Sequence, residues 1–103
     1  MELTLKDDSV YTFKTTGGEE IVAKVVKSYL EGDFIEVVNP VSVGHHGQGM
    51  GLMPSLFTAD SDKPVKLNTK NVLMVAETDD SIVAKYIELT TGIKVPEKKI
   101  VLG

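Results

Sequence analysis

The chain has 103 residues, a net charge of −4 and 42% hydrophobic content, which bounds a single domain. A chain of this size buries about two-thirds of its unfolded surface, so a core needs no disulfide or metal staple. Cysteine is absent, which excludes disulfides, thiolate catalysis and cysteine zinc sites. All the basic residues are lysines, and arginine and tryptophan are both missing. These two supply the preferred phosphate fork and the best base-stacking platform, so a dedicated nucleic-acid binder without either would be unusual, and the acidic charge points away from DNA.

No apolar run approaches the ~20 residues of a membrane span, so no membrane partner is expected. The opening "MELTLKDDSV" has acidic residues and no apolar h-region, so a signal peptide is not expected, and the expected compartment is the cytoplasm.

The first predicted strand is "VYTFKTT", from Val10. It places Val10, Thr12 and Lys14 on one side and Tyr11, Phe13 and Thr15 on the other. Gly17 and Gly18 then supply the positive φ of a tight hairpin. "EIVAKVVKSYL" follows, with Ile21, Ala23 and Val25 on one face and Val22, Val26 and Leu30 on the other. A strand apolar on both faces is covered on both sides or strongly bent. "EGD" turns the chain into a third strand, "FIEVVNPVSV", where Pro40 marks an edge, a bulge or a strand switch.

Next comes "GHHGQGMG". Its adjacent histidines, His45 and His46, diverge in an extended backbone, and no third zinc ligand stands nearby. The segment lacks the lysine–serine end of a phosphate loop and leads into no helix. It reads as a flexible hairpin loop with two solvated histidines. No metal, cofactor or catalytic residue is assigned, and no enzyme activity is expected.

"LMPSLFTA" reads as a fourth strand, "DSDKP" as a turn, and "VKL" as a continuation or partner of that strand. "NTKN" turns again, and "VLMVAE" is a nearly all-apolar last strand. The period then changes to that of a helix at about 79–91. Thr78 or Asp79 caps its start, Ile82, Tyr86, Leu89 and Ile93 form its stripe, Val83 and Ile87 widen it, and Gly92 is the C′ residue. The plain reading of the stripe is packing on the sheet. Residues 93–103 read as an extended tail, and residues 10–77 as the sheet.

Five short strands with an apolar last strand leave unpaired edges. The apolar density at Met50, Leu52, Met53, Leu56 and Phe57 exceeds what a solvent-facing hairpin needs. Pairing between subunits would use both features.

This order resembles the Sm-like (LSm, Hfq-like) family, and most nearly the small Sm-like proteins of T4-type phages and marine cyanophages. The stretches that carry the resemblance are "TTGGEEIVAKV", "VVNPV", "GLMP", "VKLNTKNVLMVAE" and "DDSIVAKYIELTTGIKVP". It implies a mainly β fold: a strongly bent five-stranded antiparallel sheet or open barrel, here with a C-terminal α-helix, covering the whole chain as one domain. It also implies a homo-oligomeric ring of about five to seven subunits. Leu52, Met53, Leu56 and Phe57 of one subunit would meet Val72, Leu73, Met74 and Val75 of the next. RNA binding is implied at two regions near the pore, Tyr29 to Asp33 and Asn68, Thr69, Lys70 and Asn71. The family's aspartate stands here as Tyr29, its asparagine falls near Asp33, its arginine–glycine pair aligns with Asn68-Thr69, and the Hfq tyrosine–lysine–histidine signature is absent. The resemblance therefore implies a low-affinity RNA binder or RNA chaperone in the infected bacterial cytoplasm. The acidic charge favours the alternative, a structural or protein-interaction ring.

Overall fold

The computed structural model describes residues 5–28, 33–47 and 49–92. Six strands and one helix follow in order: β1 (Ser9–Thr15), β2 (Glu20–Lys27), β3 (Phe34–His46), β4 (Gly49–Pro54), β5 (Val65–Asn68), β6 (Val72–Glu77) and α1 (Asp80–Thr91). A 3-10 turn, Thr69–Asn71, joins β5 to β6. The strands form one antiparallel sheet in the order β4-β3-β2-β1-β6, with β5 beside the first part of β3. The sheet does not close on itself.

Among the described residues there are six strands, where the sequence predicts five. The expected fourth strand, residues 52–59, is interrupted. Its ladder with β3 runs from His46↔Gly49 to Val41↔Pro54, and the chain then leaves the sheet. It returns as β5, which pairs Phe34↔Asn68 to Val37↔Val65. Pro40 and its neighbour Asn39 explain the break. Asn39 has φ +48°, in the left-handed region. The β2–β3 register jumps from Lys24↔Val38 to Val22↔Val41 across this point, so Asn39 and Pro40 of β3 stand against Ala23 alone, a bulge of one extra residue. The bulge bends β3, which gives β5 its first segment and β4 its second. The proline is thus a strand switch.

The predicted histidine loop is instead a ladder. His45 faces Met50 and Gly44 faces Gly51, and the turn between the two strands includes Gly47, with φ +63°. The glycines at positions 44, 49 and 51 lie in strands, where cross-strand hydrogen bonding fixes them. At the β1–β2 hairpin Gly18 alone takes the positive φ, +92°, and Gly17 does not.

β2 is covered on both faces, as its double apolar pattern requires. Ala23 and Val25 join Tyr11, Phe13, Ile35 and Val37 in one buried cluster. Leu5, Val65, Leu67, Val72 and Val75 close around it, so strands from both ends of the sheet wrap one interior. Val22 points the other way and meets Val41 and Tyr86, with Ile82, Ile87, Val10, Val43 and Leu52 packed around them. This second cluster seats α1 on the outer face of the bend. Phe13, almost wholly buried, anchors the first cluster, and truncating such a side chain to alanine costs about 3–5 kcal/mol.

The helix begins and ends as its sequence requires. Asp79 Oδ2 accepts the Ser81 N–H at 3.1 Å. Gly92, with φ +79°, gives its N–H to the Glu88 carbonyl at 2.9 Å. The stripe is narrower than the periodicity predicts. Ala84 and Tyr86 are buried, while Leu89 is 49% exposed. Leu89 lies at the last turn, where the helix runs past the cluster that seats it.

Candidate functional site

The residues after β5 build the most organised exposed turn. Asn68 caps the 3-10 turn through its side chain, whose Oδ1 accepts the Lys70 N–H at 2.9 Å. Thr69 donates twice to the Asp33 carbonyl, from its N–H at 2.7 Å and its Oγ1 at 3.0 Å. Lys70 Nζ stands 3.2 Å from Asp33 Oδ2. The Asn71 carbonyl accepts the Thr16 N–H at 2.8 Å, which ties the turn to the β1–β2 hairpin. Asp33 and the contiguous Asn68, Thr69, Lys70 and Asn71, far from it in sequence, therefore meet at one end of the sheet. Tyr29 lies outside the described residues.

The electrostatics of this turn are balanced. Lys70 and Asp33 are both mostly exposed, so their ion pair stabilises the fold little. A phosphate brought to this turn would have to compete with the Asp33 carboxylate for the ammonium. Amide, hydroxyl and ammonium groups in one turn can donate to a phosphate or a base edge. Nothing in the turn is positioned as a nucleophile with its base. Among the described residues no three His, Asp or Glu side chains gather to hold a metal ion. His45 is exposed at the hairpin end of β3.

The residues expected at an interface separate into three groups. Val72 and Val75 are partly buried against the interior cluster, and Leu52 against the outer one, so much of their surface is already used. Leu73 and Met74 are 62% and 63% exposed on β6. The reason is a register shift: Thr15 pairs with Val72 but Lys14 with Met74, which leaves Leu73 as an extra residue. The alternation resumes only at Val75, so two consecutive apolar side chains face outward. Met53 is exposed on β4, a strand paired only with β3 among the described residues. Leu56 and Phe57 are not on a strand. They belong to the 55–64 connection, and Phe57 is 78% exposed.

Two features were not singled out from sequence. One is a groove of about 360 Å³ on the outer face, where Leu56 and Phe57 meet Pro40, Pro54 and the Leu89–Thr90 end of α1. The half-exposed Leu89 in an otherwise packing stripe is its one sequence trace. The other is the Tyr86 hydroxyl, which donates to the Val38 carbonyl at 2.8 Å and accepts the Lys24 N–H at 3.1 Å. Burial pushes its pKa up to about 12, against the lowering effect of the Lys24 hydrogen bond. It lies in the second cluster, away from solvent, and serves the fold.

Searches against protein-family models and curated proteins return no match for this chain.

Proposed function

We propose that the chain is a subunit of an Sm-like homo-oligomeric ring that binds single-stranded RNA with low affinity at the Asp33/Asn68–Asn71 turn. The observation that carries this reading is an open sheet whose two unlike outer edges have no paired strand among the described residues. β6 presents its outer edge with Leu73 and Met74 exposed, and β4 and β5 present theirs at the other end of the strand order. An exposed, apolar strand edge is an aggregation hazard in a monomer. A head-to-tail contact between the two edges, repeated around an axis, pairs both in a closed assembly. The resemblance of the strand order to the Sm-like family supports the same arrangement.

RNA binding rests on the turn. It gathers short polar side chains and one lysine, and each subunit of a ring would repeat it. With one lysine already paired to Asp33, the expected affinity is weak and falls with salt. That ion pair, with the net charge of −4, also favours a second reading, a protein-interaction ring that binds no nucleic acid. Sedimentation equilibrium tests the assembly; a stable monomer at micromolar concentration overturns it. Fluorescence anisotropy with short single-stranded RNA at low and physiological salt separates the two readings.

A further inference from the structure

The outer-face groove lies beside the point where the chain leaves α1. Thr90 lines it, and Gly92 follows two residues later. The left-handed φ of Gly92 ends the helix and turns the chain away from its axis. The next residues are "IKVPEKKIVLG", positions 93–103, outside the described residues. They combine Ile93, Val95, Ile100, Val101 and Leu102 with three lysines and one glutamate.

The groove matches that composition. Leu56, Phe57 and Leu89 give it an apolar wall that is at least half exposed or nearly so. The connection that forms its outer lip carries Asp60 and Asp62, both exposed. The Asp60 carboxylate accepts the Asp62 N–H at 2.9 Å through Oδ1, while its Oδ2 meets Lys63 at 3.8 Å in solvent, an ion pair that a second lysine can replace at little cost. An extended segment gains about 3.3 Å per residue, so residues 93–102 reach well along the groove from Gly92. A covalently attached segment also acts at an effective concentration on the order of millimolar, which favours it over a second molecule for a shallow site.

We infer that the segment 93–102 occupies the groove of its own chain, its aliphatic side chains against Leu56, Phe57 and Leu89 and its lysines facing Asp60 and Asp62. This goes beyond the ring reading. It takes Leu56 and Phe57 out of the subunit interface and leaves Met53, Leu73 and Met74 for it.

The absence of cysteine makes the test direct. Gly103→Cys gives a single thiol for a nitroxide on the full chain. In isotope-labelled protein carrying the nitroxide, the Leu56, Phe57 and Leu89 resonances should lose most of their intensity relative to the reduced label. In a mixture of nitroxide-bearing, isotope-free chains with isotope-labelled chains lacking the thiol, they should keep it. Phe57→Ser, at an exposed position, should retain the fold and restore the Leu89 resonance. Three outcomes overturn the inference: full intensity in both samples, a loss as large in the mixture, which assigns the groove to another copy's tail, or an undiminished loss at Leu89 in Phe57→Ser. The same-chain measurement reads tail position whether the protein is a ring or a monomer, so its failure is separable from failure of the ring.

Discussion

The Tyr86 hydroxyl accepts the Lys24 N–H at 3.1 Å while donating to the Val38 carbonyl at 2.8 Å. Lys24 and Val38 are partners in the β2–β3 register, beside the Asn39–Pro40 bulge. The phenol thus bridges a main-chain donor of β2 and a main-chain acceptor of β3 beside the bulge. It links α1 to the same bend that divides β3 between β4 and β5.

Tyr86→Phe keeps the ring in the outer cluster but removes this bridge. An unsatisfied buried donor or acceptor costs about 1–3 kcal/mol, so that is the expected loss of stability. Tyr86→Ala removes the ring too, and its expected cost rises to about 3–5 kcal/mol. Urea denaturation of both variants measures the difference. A change below about 0.5 kcal/mol in Tyr86→Phe would show that the two main-chain groups are satisfied without the phenol.

The same residue sets a pH dependence. Its pKa is raised to about 12 from the usual 10 by burial. The folded state then holds the proton more tightly than the unfolded chain. The contribution is complete below pH 10 and is lost as pH rises from about 10 to about 12, with an upper value of about 2–3 kcal/mol. The difference in unfolding free energy between native protein and Tyr86→Phe should therefore shrink over this window. A difference that stays constant up to pH 12 would show that the phenol titrates normally.

The period-2 and period-3.6 patterns make most of the fold legible in sequence: Tyr11 and Phe13 inward, β2 buried on both faces, a helix capped by Asp79 and Gly92. What stays hidden depends on register. "VLMVAE" gives no sign that Leu73 is an extra residue, because the shift arises from pairing with Lys14 and Thr15. "LMPSLFTA" is apolar enough for a strand, yet the bend at Asn39–Pro40 changes which strand β3 pairs with there. The candidate turn is visible as "NTKN". Its contact with Asp33 is a long-range event that no local pattern encodes. Leu89→Ala shows the consequence for energetics. A fully buried leucine would cost about 2–4 kcal/mol, and a half-exposed one should cost clearly less.

At the turn, Asp33 and Lys70 oppose each other, so their substitutions should act in opposite directions. Lys70→Glu should abolish RNA binding. Asp33→Asn should strengthen it by freeing the ammonium, without loosening the turn, because Thr69 bonds to the Asp33 main-chain carbonyl. Lys98→Glu, in the tail, should matter less. With about two or three phosphate contacts per subunit, log K should fall with log salt at about −0.7 per contact. Tight binding indifferent to salt, or unaltered binding in Lys70→Glu, would remove the turn from consideration.

The assembly prediction rests on β6. Val75→Pro would be a poor probe, because Val75 pairs with Phe13 of β1 and packs on the interior cluster, so its loss would damage the subunit itself. Leu73 and Met74 are the discriminating positions. Both are mostly exposed, so lysine at either is tolerated by the isolated subunit, with an expected stability change within about 0.5 kcal/mol. At an interface the same changes bury two ammonium groups per contact without partners, a cost of several kcal/mol each. The double variant Leu73→Lys/Met74→Lys should therefore keep its circular dichroism spectrum and melting behaviour as a subunit. In sedimentation equilibrium it should fall to the monomer mass while the unmodified protein sediments as a closed oligomer. Outward lysines on an edge strand also block unwanted pairing, so the monomer should remain in solution. If the double variant assembles as the unmodified protein does, the β6 edge is not the contact, and the case for a ring closed through that edge fails with it.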